Sequence, residues 1–298
     1  MVRFFSILIL LIVLPSSIFA EVSSTEKKAL LDIYNSTNGG DWTITWNLSR
    51  PISTWHGVSL KDGNVVSINL FNNNLTGTLP NTISDLKHLE KLNLAFNNIG
   101  GHIPESIALL KQLSTLRLGR NKLMGSIPEN IGNLENLQVL DLFDNSLVGN
   151  IPKTISNMAK LRFLLLSYNE LDGSIPREIG NLQFLRRLEF AENELIGNIP
   201  ETFVELYMLR ALDLSGNKLS GEIPWKITKL PQLDLLQLQD NNLDENQFLL
   251  YGNENVDLAL FDHDVKSNKA NYQNLDYQKL EIKSETRTVN TQFEDTID

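Results

Sequence analysis

The amino-acid sequence predicts an α/β repeat solenoid: a curved superhelix of about eight 24-residue coils, with a parallel β-sheet on its concave face and a helical N-terminal cap. Three features of the repeat predict this fold. Asparagine recurs every 24 residues without an insertion, an apolar pair of the form Leu-x-Leu ends three residues before it, and a Gly-x-Ile-Pro segment follows it. A fixed period of about 20 to 50 residues is typical of chains whose units stack on one another.

The Leu-x-Leu segment of each repeat predicts a short β-strand. In one repeat Leu164 and Leu166 flank Leu165, and successive side chains of a strand point to opposite faces. The two flanking leucines are therefore expected to point into the core, and Leu165 to the concave surface. Further along the repeat, Ile175 is expected to point inward, and Pro176 to stiffen the convex side, where no ladder donor is needed.

Each recurring asparagine lies at the corner where the chain leaves its strand. Its amide group donates and accepts hydrogen bonds, so it can satisfy main-chain groups that the turn leaves without partners. After the last repeat, Glu245 stands where glycine is due, so the array is expected to end near residue 244. We expect eight side chains to stack into a structural ladder: Asn73, Asn97, Asn121, Asn145, Asn169, Asn193, Asn217 and Asn241.

The segment before the repeats predicts a cap over the open end of the stack. Ser23 and Glu26 have the spacing of a capping box at the start of a helix. Residues 53–70 predict a hairpin with an Asp62-Gly63 turn, whose second strand is the first strand of the repeats. Three tryptophans are interpreted as the core of the cap, with stacking against a sugar as the alternative: Trp42, Trp46 and Trp55.

The two ends of the chain predict export and an acidic tail. Residues 1–20 combine Arg3, a short apolar run and a small residue at Ala20, which is the pattern of a secretory signal peptide. The expected location is extracellular or at the cell surface, or the periplasm of a bacterium, without a membrane span after the signal is removed. The predicted domains are the signal peptide (1–20), the N-terminal cap (21–64), the repeats (65–244), and a remnant of a C-terminal cap followed by an acidic tail expected to be largely mobile (245–298).

Composition and charge disfavour several classes of function. The formal net charge is -10, and the sequence is interpreted as having no basic stripe, which disfavours binding to nucleic acids and to anionic membranes. The chain contains no cysteine, so its core alone must hold the fold. No catalytic or phosphate-binding motif occurs, so we expect no enzymatic activity and no cofactor. The acidic residues around Asp141 and Glu189 are interpreted as a surface patch, with a calcium site as the less favoured alternative.

The register L-x-x-L-x-L-x-x-N-x-L-x-G-x-I-P resembles the plant-type leucine-rich repeat. That type occurs in the extracellular parts of receptor-like kinases and receptor-like proteins, and in polygalacturonase-inhibiting proteins. The cap sequence LLDIYNSTNGGDW (30–42) is similar to the caps of secreted bacterial and algal repeat proteins. The resemblance spans roughly residues 25–244 and implies a secreted recognition scaffold. Ser53 and Leu60 stand where the family cap has cysteines, which weakens the case for a plant receptor, and no signalling part is carried over.

The concave strands carry side chains that predict a binding face. Their outward positions differ from coil to coil, whereas the inward leucines do not. Aromatic, aliphatic and arginine side chains gather at these positions in the first five coils, a composition typical of interface hot spots. The predicted partner-contacting residues are Phe71, Phe96, Arg117, Arg120, Val139, Asp141, Phe143, Phe163, Leu165, Tyr168, Arg187 and Glu189.

These observations favour non-catalytic recognition of a protein, a peptide or a glycan by a monomer through its concave face. The alternative is a structural or adhesive role, through self-association or attachment to a cell wall. Three sequons, at Asn35, Asn47 and Asn74, would matter only in a eukaryotic secretory route.

Overall fold

The computed structural model describes residues 22–244, which fold into a helical cap followed by eight stacked coils. We number the coils 1 to 8 after their ladder asparagines, from Asn73 in coil 1 to Asn241 in coil 8. The leucine-rich-repeat solenoid predicted from the sequence is confirmed. The signal peptide predicted at 1–20 and the tail predicted at 245–298 lie outside the described residues.

Every coil contributes one strand to the sheet on the concave face. Neighbouring strands of the repeats are parallel, and equivalent residues face one another, so that Leu164 lies between Leu140 and Leu188. The predicted hairpin is present as an antiparallel pair at the first edge. Within residues 22–244 the strands of this sheet are, in order, Val58–Lys61, Asn64–Asn69, Lys91–Asn93, Thr115–Arg117, Val139–Asp141, Phe163–Leu165, Arg187–Glu189, Ala211–Asp213 and Leu235–Gln237.

A second set of parallel strands, which the sequence did not lead us to expect, follows the ladder asparagines. Here the Leu-x-Gly segments are extended, and Leu171 of coil 5 pairs with Gly149 of coil 4. Their hydrogen bonds satisfy the backbone on the flank of the solenoid. The strands form one group of five and one of three: Thr76–Thr78, Asn98–Gly101, Lys122–Gly125, Ser146–Asn150 and Glu170–Asp172, then Ile196–Gly197, Lys218–Glu222 and Asn242–Asp244.

The convex side consists of short 3₁₀ helices that begin directly after the repeat proline. Pro176 caps one of them, at a position where its missing N–H leaves no donor unsatisfied. Ile179 in this helix and Leu182 after it are fully buried. The helices of the described coils are Asn81–Asp85, Glu105–Leu109, Glu129–Asn133, Lys153–Asn157, Arg177–Asn181, Glu201–Glu205 and Trp225–Lys229.

The core is a stack of aliphatic side chains with two aromatic exceptions. The second inward position of the concave strand is leucine in every coil except coil 6, which has Phe190. Phe203 likewise fills a position that is isoleucine in the other six convex helices. Both rings are fully buried and both belong to coil 6, so this coil accommodates larger side chains at two positions that are otherwise uniform.

The predicted asparagine ladder is present, and each amide links neighbouring coils. In coil 5, Asn169 Nδ2 donates to the carbonyl oxygen of Leu166 at 3.0 Å and to that of Leu142, in the preceding coil, at 3.1 Å. Its Oδ1 accepts the N–H of Leu147 at 3.1 Å. The side chain is buried, so water cannot replace these bonds if the amide is removed.

The repeat glycine is required by a left-handed backbone. All seven such glycines, from Gly77 to Gly221, have φ between 70° and 81°. This region favours glycine because a Cβ would crowd the backbone. At Gly77 a side chain would also collide with the carbonyl oxygen of Ser36 in the cap.

The cap begins with the predicted helix, Ser24–Ser36, and hydrogen bonds from several of its residues tie it to the first coil. The Oγ of Ser23 accepts the N–H of Glu26 at 3.2 Å. The buried carboxylate of Glu26 accepts the N–H of Val65, in the first repeat strand, at 3.1 Å. The first ladder amide, of Asn73, accepts the N–H of Ile44 at 2.7 Å.

The tryptophans form the core of the cap, which also contains the 3₁₀ helices Gly39–Asp41 and Ile52–Thr54. Ring centroids of Trp42 and Trp46 lie 4.9 Å apart, and those of Trp46 and Trp55 lie 4.7 Å apart. All three side chains are buried, so they offer no exposed ring face to a sugar. The interpretation as cap core is confirmed, and the sugar-stacking alternative is wrong.

Candidate functional site

Two columns of side chains mark the edge of the concave sheet where its strands end. One column is formed by the residue after the second inward position, and the other by the residue just before each ladder asparagine. In coils 1 to 5 these columns are rich in aromatic side chains. We call this group the strand-end edge: Phe71, Phe96, Arg120, Phe143, Asp144 and Tyr168.

The residue before each ladder asparagine has a left-handed backbone in all eight coils. Its φ lies between 49° and 62°, a region that costs residues other than glycine about 1–2 kcal/mol. The conformation persists because backbone bonds hold it: the N–H of Tyr168, for example, donates to the carbonyl oxygen of Ala191 at 2.8 Å. The column consists of Asn72, Phe96, Arg120, Asp144, Tyr168, Glu192, Gly216 and Asp240.

The aromatic side chains of the strand-end edge contact one another across coils 1 to 4. Ring centroids of Phe71 and Phe96 lie 5.0 Å apart, and those of Phe96 and Phe143 lie 5.9 Å apart. The guanidinium carbon of Arg120 lies 5.1 Å from the centroid of Phe96, within the range of a cation–π contact. Asp144 holds the other side of this guanidinium, with its Oδ2 3.6 Å from Nε.

Gly119 makes room for this cluster. Coil 3 has glycine at the position where coils 1 and 4 have phenylalanine, and a Cβ there would collide with the ring of Phe143 and lie 2.6 Å from Oδ1 of Asp141. The ring of Phe143 therefore lies over the backbone of coil 3 and approaches Phe96 of coil 2. Gly119 is a site residue that the sequence analysis did not predict. Its position in a column that has phenylalanine in two other coils could have indicated its role.

The predicted contact residues differ in how far a partner can reach them. Tyr168 is 53% exposed and Phe71 is 38% exposed, whereas Phe143 is 9% exposed and supports the cluster from below. Asp141 and Glu189 are also buried. The remaining predicted residues are half-buried, except for the exposed Arg120: Phe96, Arg117, Val139, Phe163, Leu165 and Arg187. That all twelve contact a partner remains a prediction.

Coils 6 and 7 carry a buried charged group next to this face. The Nε of Arg187 donates to Oε1 of Glu189 at 2.9 Å, and Arg187 Nη2 contacts the same oxygen. Burial raises the pKa of the Asp213 carboxyl, although Ser215 partly opposes this by donating its hydroxyl at 2.6 Å and its N–H at 3.1 Å. Burial also lowers the pKa of the Arg187 guanidinium.

The variant Asp213→Asn is expected to change the pH dependence of stability. Because the pKa of Asp213 is higher in the folded chain, the folded state binds this proton more tightly than the unfolded state. The resulting stabilisation is complete below the unfolded pKa, near about 3.9, and is lost as the pH rises through the folded pKa. The Tm of the wild type should therefore fall relative to that of the variant as the pH rises from about 4. A Tm difference that is constant between about pH 4 and 8 would contradict this assignment.

The chemistry of the described residues suits contact with a partner. No group of three or more histidine or acidic side chains within residues 22–244 is placed to hold a metal ion. No helix in this described part of the chain combines the length and apolar character needed to cross a membrane. The two features that stand out are the exposed aromatic cluster and its arginine.

Known proteins resemble the chain in sequence and fold. Residues 68–172 match the family model described as a leucine-rich repeat region, and residues 208–230 match that of the leucine-rich repeat. None of the curated proteins matches the chain significantly.

Three solved structures illustrate the similarity. The ectodomain of the membrane receptor kinase GASSHO1/SCHENGEN3 from Arabidopsis thaliana, in complex with CASPARIAN STRIP INTEGRITY FACTOR 2, has a TM-score of 0.61 and 32% identity over 72% of this chain and 30% of its own. The Arabidopsis receptor kinase HAESA, in complex with the peptide hormone IDA and the co-receptor SERK1, has a TM-score of 0.57 and 39% identity over 59% of this chain and 29% of its own. A plant ice-binding protein has a TM-score of 0.59 and 27% identity over 75% of this chain and 81% of its own.

The chain spans less than a third of the length of the receptor structures. It shares with them the fold of the aligned region. The chain is therefore a leucine-rich-repeat protein whose repeat is of the plant type.

Proposed function

We propose that this protein is a non-catalytic recognition module that acts outside the cytoplasm and binds a protein or peptide through its strand-end edge. The observation that carries the proposal is the aromatic cluster with its arginine, in which Phe71 and Phe96 are in contact and Arg120 lies against Phe96. Aromatic side chains and arginine are enriched at protein interfaces and at their hot spots.

The strand-end edge is pre-organised for such a contact. The left-handed backbone at Phe96, Arg120 and Tyr168 is held by bonds to the next coil, so little backbone freedom would be lost on binding. Asp144 restrains the guanidinium of Arg120 through the contact described above.

The similar receptor structures support a peptide or protein as the ligand. The HAESA and GASSHO1/SCHENGEN3 ectodomains are each in complex with a peptide hormone or a named factor. The strand-end edge carries aromatic and charged side chains suited to the same class of ligand. The proposal is limited to binding, because the chain corresponds to less than a third of each receptor.

A single-cysteine experiment tests this proposal. The chain contains no cysteine, so Glu192→Cys creates one attachment point for a photo-crosslinker beside Tyr168, at the same position in the next coil, and leaves the strand-end edge intact. Arg177→Cys is the matched control, because that side chain is 83% exposed on the convex side. Each labelled protein is incubated with the secreted proteins and peptides of its source and irradiated, and the crosslinked products are identified by mass spectrometry.

We expect a partner that crosslinks at position 192 and not at position 177. A partner captured equally from both positions would be incompatible with recognition by this edge. Crosslinks between two copies of the chain, with concentration-dependent association in sedimentation, would favour the structural or adhesive alternative instead.

A further inference from the structure

Three arginines stack on consecutive coils where the concave strands start. The N–H of Arg186 donates to the carbonyl oxygen of Arg162 at 2.8 Å, and the N–H of Arg210 donates to that of Arg186 at 2.8 Å. Adjacent parallel strands lie about 4.8 Å apart, so the three residues form a regular column. The expectation that the chain has no basic stripe is wrong at this edge, because residues 24 positions apart in sequence are neighbours in the fold.

A second row of exposed side chains runs beside the arginines. Lys160, Phe184 and Met208 each precede their arginine by two residues, and the leucine between them is fully buried in all three coils. Equivalent positions of both rows in the preceding coils line one depression, Gln112 and Asn136 from the outer row and Ser114 and Gln138 from the arginine row, so the two rows share one surface. Phe184 is 52% exposed and Met208 is 44% exposed.

The arginine column is electrostatically unfavourable by itself. Among the described residues, no salt bridge joins Arg162, Arg186 or Arg210 to an acidic side chain. Burial lowers the pKa of Arg186, and the charges of Arg162 and Arg210 lower it further. Asp234 is the next residue of the column, after Arg210, and forms no salt bridge with it among the described residues. In a chain of net charge -10, three stacked cations beside a single carboxylate favour an anionic partner from outside this part of the fold.

We propose that a second interaction surface, the strand-start patch, binds an acidic protein segment whose carboxylates alternate with apolar side chains. The patch consists of Lys160, Arg162, Phe184, Arg186, Met208 and Arg210. Arginine binds carboxylates through a planar fork of donors. Exposed Phe184 and Met208 beside the arginines favour a protein over a polysaccharide, because aromatic residues, methionine and arginine are together enriched at protein interfaces.

The strand-start patch is separate from the strand-end edge. Arg162 precedes and Tyr168 follows the coil 5 strand Phe163–Leu165, so the two surfaces are separated by at least the length of that strand, about 10 Å for three extended residues. The patch continues towards coil 2 as a polar depression of about 210 Å³, which can supply hydrogen bonds to the backbone of an extended segment. The depression is lined by Glu90, Gln112, Ser114, Asn136, Gln138 and Lys160.

Fluorescence anisotropy of the full chain with a labelled peptide of alternating Glu and Leu tests the proposal. The variant R162Q/R186Q/R210Q should bind this peptide about tenfold more weakly than the wild type, because three ion pairs are lost. The control K153Q/R177Q/K229Q removes the same charge from the convex helices and should bind unchanged. A peptide with Gln in place of Glu should bind the wild type as weakly as the acidic peptide binds the triple variant.

The apolar row separates a protein ligand from a polyanion. We expect F184A/M208A to weaken binding of the Glu-Leu peptide and to leave any binding of alginate, an anionic polysaccharide, unchanged. Alginate binding that depends on the arginines, with a Glu-Leu peptide indifferent to Phe184 and Met208, would overturn the proposal in favour of a polysaccharide surface.

Thermal unfolding tests whether the arginines of the strand-start patch have only a structural role. Removing stacked like charges should leave the Tm of R162Q/R186Q/R210Q equal to that of the wild type or above it. The single variant R210Q, at the most exposed of the three, serves if the triple variant does not fold. Equal peptide affinity of R210Q and the wild type, or equal losses in the patch and control variants, would refute the strand-start patch.

Discussion

The variant Phe190→Ala is expected to lower the free energy of unfolding by about 3–5 kcal/mol. Phe190 is fully buried at the second inward position of the coil 6 strand, where the other coils have leucine. Truncation leaves a cavity inside a stack whose coils contact only their neighbours, so the collapse needed to fill it would disturb coils 5 and 7. The ladder amides of Asn193 and Asn217 hold these coils at fixed spacing and resist that collapse.

Phe190→Leu is the matched control, because it introduces the residue found at this position in the other coils. It should cost clearly less than the alanine variant, within about 1.5 kcal/mol of the wild type. Urea unfolding followed by circular dichroism measures both changes. Equal destabilisation by leucine and alanine would contradict the assignment of a closely packed aromatic site.

The variant Asn169→Ala is expected to lower the free energy of unfolding by about 1–3 kcal/mol through unpaired backbone groups. The substitution removes the acceptor of the Leu147 N–H and the donor to the carbonyl oxygens of Leu142 and Leu166. All of these groups lie in the core, where water cannot approach without opening the stack. The loss therefore acts on two coils at once.

The control for this prediction is Asn157→Ala, at an exposed asparagine of a convex helix. Its effect should stay within about 0.5 kcal/mol, as is usual for surface substitutions. The two variants are compared by urea unfolding under the same conditions. Similar stability of both would show that the ladder amides contribute little.

The sequence predicted the fold because every 24-residue unit imposes the same structural constraints. The 24-residue spacing placed the strands, the asparagine ladder and the proline-initiated convex turns, and each appears where expected. The second set of strands, such as Glu170–Asp172, was not expected. These strands are only two to five residues long, too short for an alternating pattern to predict them, and their pairing depends on the stacking of the coils.

The sequence predicted which columns of residues form the candidate site, but not how deeply each side chain is buried. Phe143 follows the coil 4 strand and was predicted to be a surface residue, yet only 9% of it is exposed. Its position depends on Gly119 in the preceding coil and on the ring of Phe96 two coils away. Contacts that skip a coil arise from the particular side chains present, and the repeat register does not encode them.

The strand-start arginines could have been found from the sequence. Arg162, Arg186 and Arg210 are 24 residues apart, and each directly precedes the first residue of its concave strand. The predicted binding face comprises only residues within and after the strands, and so does not include them. Their neighbours Phe184 and Met208 would have looked like core positions without the structure, which shows both exposed.

The central claim is that the strand-end edge recognises the partner, and the affinity of Tyr168→Gly for the crosslinked partner tests it most directly. Glycine tolerates the left-handed backbone at this position and already occupies it in coil 7 as Gly216, so the fold should be retained. Asp240→Gly makes the same change in coil 8, away from the aromatic cluster. If the claim holds, Tyr168→Gly binds roughly 30-fold more weakly, equivalent to about 2 kcal/mol, while Asp240→Gly binds like the wild type. Wild-type affinity in both variants would contradict it.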